Sequence, residues 1–166
     1  AIGDVHGCHD ELKEALQWIF LNAGDSSDYQ IVMIGDYIDR GPNSAGVLST
    51  VMFYKQVMRD RFVALMGNHE DMALNDYSNW LYNGGRECLD SYVDGEMTIE
   101  HREFLKTLPK YYETPNHIFV HAGINDTIPM DQQFDGDLLW KRYRLGEGPR
   151  DIKKLLVHGH TPQKEI

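Results

Sequence analysis

The sequence predicts an α/β fold in which short buried strands alternate with helices. Three observations predict it. Four short apolar runs, Ile31–Ile34, Phe62–Met66, Ile118–Val120 and Leu155–Val157, are bounded by Gly, Asp or His. Runs of that length and composition suit strands buried on both faces. Helical apolar stripes lie before and between the first two runs, and every run leads into a glycine-containing polar cluster.

Taken in order, Leu12, Ala15, Leu16, Ile19 and Phe20 recur at three- and four-residue spacing. They predict a helix that ends at Asn22-Ala23-Gly24. A second helix fits Ser44 to Asp60, with Val47, Leu48, Val51 and Met52 inward and Pro42-Asn43 leading into it. A third runs from about Thr98 to Leu108 and is stopped by Pro109. Residues 77–95 carry aromatics and a Gly84-Gly85 pair without a clear period, and read as helix plus loops. Nothing reads as a repeat, a low-complexity tract or a linker, so residues 1–166 are expected to form one domain.

Composition narrows the function classes. The chain is 42% hydrophobic and 25% charged, ordinary for a globular protein. No apolar run approaches the ~18 residues of a membrane span. The net charge of −10 argues against a broad grip on a nucleic-acid polymer. It leaves phosphorylated substrates open, because bound cations dominate the field of their own site. Cys8 and Cys88 form no CxxC pair, which favours a reducing, cytoplasmic setting. The chain opens at Ala1-Ile2 and stops just after a motif, so both ends are expected to be cropped.

The polar clusters carry the chemistry. Ile2 leads into Gly3-Asp4-Val5-His6-Gly7, and Ile34 into Gly35-Asp36-Tyr37-Ile38-Asp39-Arg40-Gly41. Met66 leads into Gly67-Asn68-His69-Glu70, Val120 into His121-Ala122-Gly123, and Val157 into His158-Gly159-His160-Thr161. Each has a plain structural reading by itself. Gly-Asp makes turns, Asn caps helices, and a single histidine is often a satisfied core residue. Five such clusters at strand carboxyl ends can converge on one crevice, and their shared chemistry is metal binding. Oxygen and imidazole donors without thiolate suit Mn²⁺, Fe or Zn²⁺. His9 is expected to be exposed, His101 to lie on a polar helix face, and Glu70 to complement a helix dipole. Asn83-Gly84-Gly85 reads as a bordering loop without a role.

In this order the motifs resemble those of the calcineurin-like metallophosphoesterases, over nearly the whole chain from Gly3 to Pro162. Asp39-Arg40 with Asn68-His69-Glu70 resembles the phosphoprotein phosphatase branch. Gly159-His160-Thr161-Pro162 and Asp137-Leu138-Leu139-Trp140-Lys141-Arg142 resemble bacterial and lambda-phage-type serine/threonine protein phosphatases. The resemblance implies two sheets packed as a sandwich, flanked by helices, with a dinuclear metal site at the strand carboxyl ends. It implies that Asp4 and His6 bind one metal, that Asn68, His121 and His160 bind a second, and that Asp36 bridges them. Two divalent ions are implied, Mn²⁺ first and Fe or Zn²⁺ as alternatives. A metal-bridging hydroxide would attack phosphorus in line. His69 would protonate the leaving oxygen, with Asp39 orienting it and raising its pKa. Arg40, Arg142 and Asn68 would bind the phosphate.

Three functions are weighed. The first is a phosphoprotein phosphatase acting on phosphoserine and phosphothreonine, with phosphotyrosine as an extension. No obligate partner is expected beyond phosphorylated protein or peptide substrates. The alternative is a symmetrical dinucleoside tetraphosphate hydrolase. That branch generally lacks the acid at the position of Asp39 and favours Asp after Asn-His, so the first reading is preferred. The third is a catalytically silent phosphate-binding module, disfavoured because every expected ligand is present.

Overall fold

In the computed structural model, which describes residues 1–23, 29–144, 147–149 and 152–162, all four apolar runs form strands. β1 (Ile31–Met33) pairs in parallel with β2 (Phe62–Ala64), with Val32 opposite Val63, and Ile2 adds a parallel bridge to Met33. In a second sheet β3 (Tyr111–Glu113), β4 (His117–Val120) and β5 (Leu155–Val157) lie in that order. β3 and β4 run antiparallel, β4 and β5 parallel. β3 was not expected, because Tyr111-Tyr112-Glu113 has neither an apolar run nor a full alternation to announce it.

Side chains of a strand alternate between two faces, and here the two faces meet different layers. Val32, Ile34 and Leu65 cluster with Val63 and with Tyr112 and Phe119 of the second sheet. Ile31, Met33, Phe62 and Ala64 join a larger core with Leu12 and Leu16 of helix α1 (His9–Ala23) and Val47, Leu48 and Val51 of α2 (Ser44–Met58). The two sheets therefore pack on each other with helices outside, which is the expected sandwich. Burial on both faces holds for β1. It does not hold for β4, where His117 and Phe119 are half-buried, or for β5, where Leu155 is exposed.

The helices match their sequence signals closely. Asn43 caps α2 by accepting the Gly46 N–H at 2.8 Å. Thr98 caps α6 (Ile99–Lys106) through the His101 N–H. In α1, Leu12 and Leu16 are buried but Ala15 is exposed, so the inward stripe is narrower than the spacing implied. Gly24, the expected stop, lies outside the described residues. Between α2 and α6 come α3 (Asn68–Asn75), α4 (Tyr77–Trp80), a π-helical turn over Leu81–Gly85, and α5 (Arg86–Asp90). α7 (Asp135–Trp140) precedes β5. No helix among the described residues is long and apolar enough to cross a membrane.

Two histidines expected at the surface are not there. His9 is half-buried and its Nε2 lies 2.9 Å from Thr50 Oγ1. His101 is buried, its Nδ1 2.7 Å from the Tyr92 hydroxyl and its Nε2 3.2 Å from Ser49 Oγ. Burial lowers the His101 pKa, with the Glu100 charge opposing it. The unfolded chain then binds the extra proton first, so stability is present above the ordinary histidine pKa and declines as pH falls through it. Chemical denaturation at pH 8 and pH 5.5 should show a smaller pH-dependent loss for His101→Gln than for the unmodified chain. Equal losses would mean that His101 is not a source of the acid sensitivity.

Candidate metal centre

All five polar clusters meet at the carboxyl ends of the strands. The first two loops are stitched together. The Val5 and His6 N–H groups both donate to the Asp36 carbonyl at 2.9 Å, and the Gly7 N–H donates to the Tyr37 carbonyl at 2.8 Å. Turns this tight need unusual backbone. His6, Asp36, Asp39, Arg40 and His160 all have positive φ, between 44° and 75°. Among the described residues the one other non-glycine with positive φ is Arg59. Such conformations cost on the order of 1–3 kcal/mol each and concentrate where surrounding structure over-determines them. Gly67 supplies the close approach: a Cβ there would sit 2.2 Å from Asp36 Oδ1.

The imidazoles are aimed. His121 Nδ1 lies 2.9 Å from the Ile34 carbonyl and His6 Nδ1 2.9 Å from the Ile38 carbonyl. A carbonyl can only accept, so each Nδ1 carries the proton and each Nε2 offers a lone pair. The His121 lone pair faces Asn68 Oδ1 at 2.8 Å, His160 Nδ1 at 3.1 Å and Asp36 Oδ2 at 3.5 Å. The His6 lone pair faces Asp36 Oδ2 at 3.4 Å. Acceptors turned toward one another in a buried space repel unless a cation lies between them. Burial keeps the rings neutral, lowering His121 and bringing His6 and His160 down to about 4. The same burial, followed by the charge of Asp4, pushes Asp36 up to about 8. The inner set, Asp36, Asn68, His121 and His160, turns oxygen and imidazole donors toward one another, and divalent metal ions fit it. Donor atoms of His6, Asp36 and His69 lie within 4.8 Å of one another, as do those of Asp36, His121 and His160. Asp36 belongs to both groups, as a bridging ligand must.

Asp4 borders the same space and belongs to neither group. Its carboxylate accepts the His160 backbone N–H at 3.1–3.2 Å and lies 4.0 Å from His121 Nδ1. His69 and Asp39 are buried as a pair, with His69 Nδ1 2.5 Å from Asp39 Oδ2. Arg40 spans the opening, its guanidinium nitrogens 3.0 Å from His6 Nε2 and 2.9 Å from His69 Nε2. Burial and the Arg40 cation lower His69 to about 4, while burial raises Asp39 to about 7. The net direction for His69 is downward rather than the expected upward one, because burial, Arg40 and His121 outweigh the opposing charge of Asp4. Arg142 is exposed at the rim, with Nη1 3.4 Å from the His160 carbonyl. His158 turns instead to Tyr143, ring centroids 5.2 Å apart, so of the two nearby histidines His160 faces the site.

A family model described as calcineurin-like phosphoesterase matches residues 1–165. The chain belongs to that family. Among curated relatives, the symmetrical bis(5'-nucleosyl)-tetraphosphatase of Bordetella pertussis is 32% identical over 123 residues, 74% of this chain and 42% of that protein. The chain thus spans less than half the length of this relative. A cold-active protein tyrosine phosphatase structure superposes with a TM-score of 0.67 at 20% identity, covering 98% of this chain and 64% of that one. A serine/threonine phosphatase from Saccharomyces cerevisiae gives 0.55 at 20% identity, covering 75% and 38%. At these identities the two structures speak for the fold.

This calcineurin-like chain holds a residue that sequence reasoning undervalued. Glu70 was expected to complement a helix dipole. It is fully buried, and its carboxylate accepts four backbone N–H groups: Gly67 and Asp36 at 2.9 Å, Tyr37 at 2.8 Å and Ile38 at 3.3 Å. It ties the Asp36 loop to the Asn68 loop. The signal available was a glutamate three residues after a glycine N-cap, the back-bonding position of a capping box. Glu70→Gln presents an amide NH₂ to two of these donors, and unsatisfied buried groups cost about 1–3 kcal/mol each. Its melting temperature should fall by several degrees, with weaker retention of added Mn²⁺ by elemental analysis. Unchanged melting would show that the clamp is dispensable.

Proposed function

We propose that the chain is a metal-dependent phosphoester hydrolase whose site residues act as the family resemblance implies. The observation that carries this reading is the inward aim of Asp36, Asn68, His121 and His160 in a buried space, with His6 reaching Asp36 from the other side. Asp4 and His6 would hold one ion and Asn68, His121 and His160 the other, with Asp36 between them. When bound, two such ions, Mn²⁺ by preference, supply Lewis-acid polarisation of the phosphoryl group and an acidified water.

The protein's own groups do the rest. Arg40 and Arg142 would fork onto the non-bridging phosphate oxygens, helped by the Asn68 amide. Arg40 now rests on His69 Nε2. A phosphate dianion competes for that guanidinium, and its departure from the ring leaves Nε2 turned toward the leaving oxygen. Nδ1 remains held by Asp39, and Nε2, freed from the guanidinium and beside the phosphate charge, can take up a proton from solvent and would then be oriented to pass it to the leaving oxygen.

For the substrate, the curated relatives favour dinucleoside tetraphosphates, and we take this class first. The order differs from the preference for protein substrates in the sequence analysis. Phosphoproteins stand as a second reading because the Asp39–His69 pair and Glu70 are both present and both engaged. We place the chain in the cytoplasm, acting without an obligate partner.

Turnover of diadenosine tetraphosphate by the Mn²⁺-loaded chain should exceed that of phosphopeptides by at least about tenfold in kcat/KM, a difference of ~1.4 kcal/mol. A chelator should abolish both. The reverse preference would move the substrate to the second reading, and no turnover of either or of an aryl phosphate would reject the hydrolase. His69→Asn should keep its metal and lose at least about a hundredfold in kcat, the scale of general acid catalysis. An unchanged kcat with a poor leaving group would take His69 out of the reaction.

A further inference from the structure

Asn83-Gly84-Gly85 and the aromatic residues before it border the site without a part in the reaction described above. Trp80, the last residue of α4, is fully buried. Its indole Nε1–H donates to Asp39 Oδ1 at 2.8 Å, while Asp39 Oδ2 holds His69 Nδ1. The carboxylate is thereby divided, one oxygen to the tryptophan and one to the histidine. The Asp39 backbone N–H is held as well, donating to Ser44 Oγ at 3.0 Å.

The turn after Trp80 explains how the indole reaches that position. Leu81–Gly85 is a π-helical turn broken at Asn83 (φ −104°, ψ 21°) and Gly84 (φ 106°, ψ 5°). Such turns carry an extra residue and recur at functional sites. The Gly84 carbonyl accepts the Arg40 N–H at 3.4 Å, and a Cβ at Gly84 would lie 3.0 Å from that nitrogen and 3.1 Å from the Asp39 Cβ. Gly85 backs the indole so closely that a Cβ there would lie 2.7 Å from the ring. One short segment therefore contacts Asp39, which orients His69, and Arg40, which spans the opening.

We propose that Trp80 is a positioning residue, the outer member of a Trp80–Asp39–His69 hydrogen-bond chain, and that the glycine-bearing turn behind it sets the indole against Asp39. The inference rests on the reading of His69 as proton donor and deepens it. Without the indole N–H, the buried Asp39 Oδ1 has lost its side-chain donor, and the carboxylate can rotate off His69. Groups that orient a functional side chain typically change activity by 10–100-fold when removed, and small misplacements of a reacting group have effects of the same order.

The test is a double-mutant cycle on the Mn²⁺-loaded chain with an aryl phosphate of poor leaving group. Trp80→Phe keeps a buried ring and removes the N–H. It should lower kcat by about 10–100-fold with KM and metal content unchanged. In the His69→Asn background the same change should cost nothing further, because its effect passes through the imidazole. An additive loss in the double variant, or an unchanged kcat in Trp80→Phe, overturns the positioning role. If His69→Asn alone leaves kcat intact, the proton-donor reading fails instead, so the two failures are distinct. Gly84→Ala is the second variant if Trp80→Phe unfolds by circular dichroism. It presses on Arg40 and Asp39 while leaving the indole in the chain, and should lower kcat less in the His69→Asn background than alone. An equal loss in both overturns the role of the turn.

Discussion

The site is organised around one buried carboxylate. Asp36 is 2% exposed and has a φ of 53°. Its hydrogen bonds join its loop to two others, at Val5-His6 and at His69-Glu70. Its carbonyl receives the Val5 and His6 N–H groups, its own N–H goes to Glu70, and its Oδ1 accepts the His69 N–H at 3.1 Å. Oδ2 is left facing His6 on one side and His121 on the other. Burying an uncompensated charge is expensive, and a carboxyl in that position answers by holding its proton. The upward shift of Asp36 to about 8 expresses that cost. Divalent cations held between Asp36 and its histidine neighbours would remove it, which would tie metal binding to the shape of the loops.

The fold accommodates the strained loops by spending its regular structure directly beneath them. β1 and β2 are three residues long, but Val32, Ile34 and Leu65 are locked against the second sheet while Met33 and Phe62 are locked against helices. Loops leaving such a base have little freedom, and hydrogen bonds between them fix the rest. Glu70 supplies four of these by itself. Preorganisation of this kind places donor groups before any ligand arrives.

The parts of this arrangement that could be read from sequence are those announced by local pattern. Continuous apolar runs announced four of the five strands among the described residues, and capping residues announced the helix starts at Asn43 and Thr98. The polar clusters at the run ends gave the residues that meet in one space. What could not be read depends on partners distant in sequence. β3 exists because β4 lies beside it, with Tyr112 opposite Phe119. His101 looks solvated on its own helix and is buried because Tyr92 and Ser49 close over it. Trp80 is one aromatic in a segment without a clear period, and its part is visible only with its nitrogen against Asp39, 41 positions earlier. The sign of the His69 shift was misjudged for the same reason: sequence named the carboxylate neighbour but not the burial or the cation beside the ring.

Depth in the site separates two tasks. The groups Asp36, Asn68, His69, His121 and His160 are buried, with Asp36 shared between the two candidate metal groups, and as phosphate-site residues they would not distinguish one phosphate ester from another. Discrimination must come from groups that can touch the remainder of a substrate, and those are at the rim. Arg142 is exposed there, and Trp140 is 43% exposed with its ring 6.2 Å from that of His160. An exposed aromatic face beside a phosphate site can stack on a nucleobase or on an aromatic side chain. On the proposed reading the buried cage would fix the reaction, and rim side chains would be free to change the substrate without disturbing it.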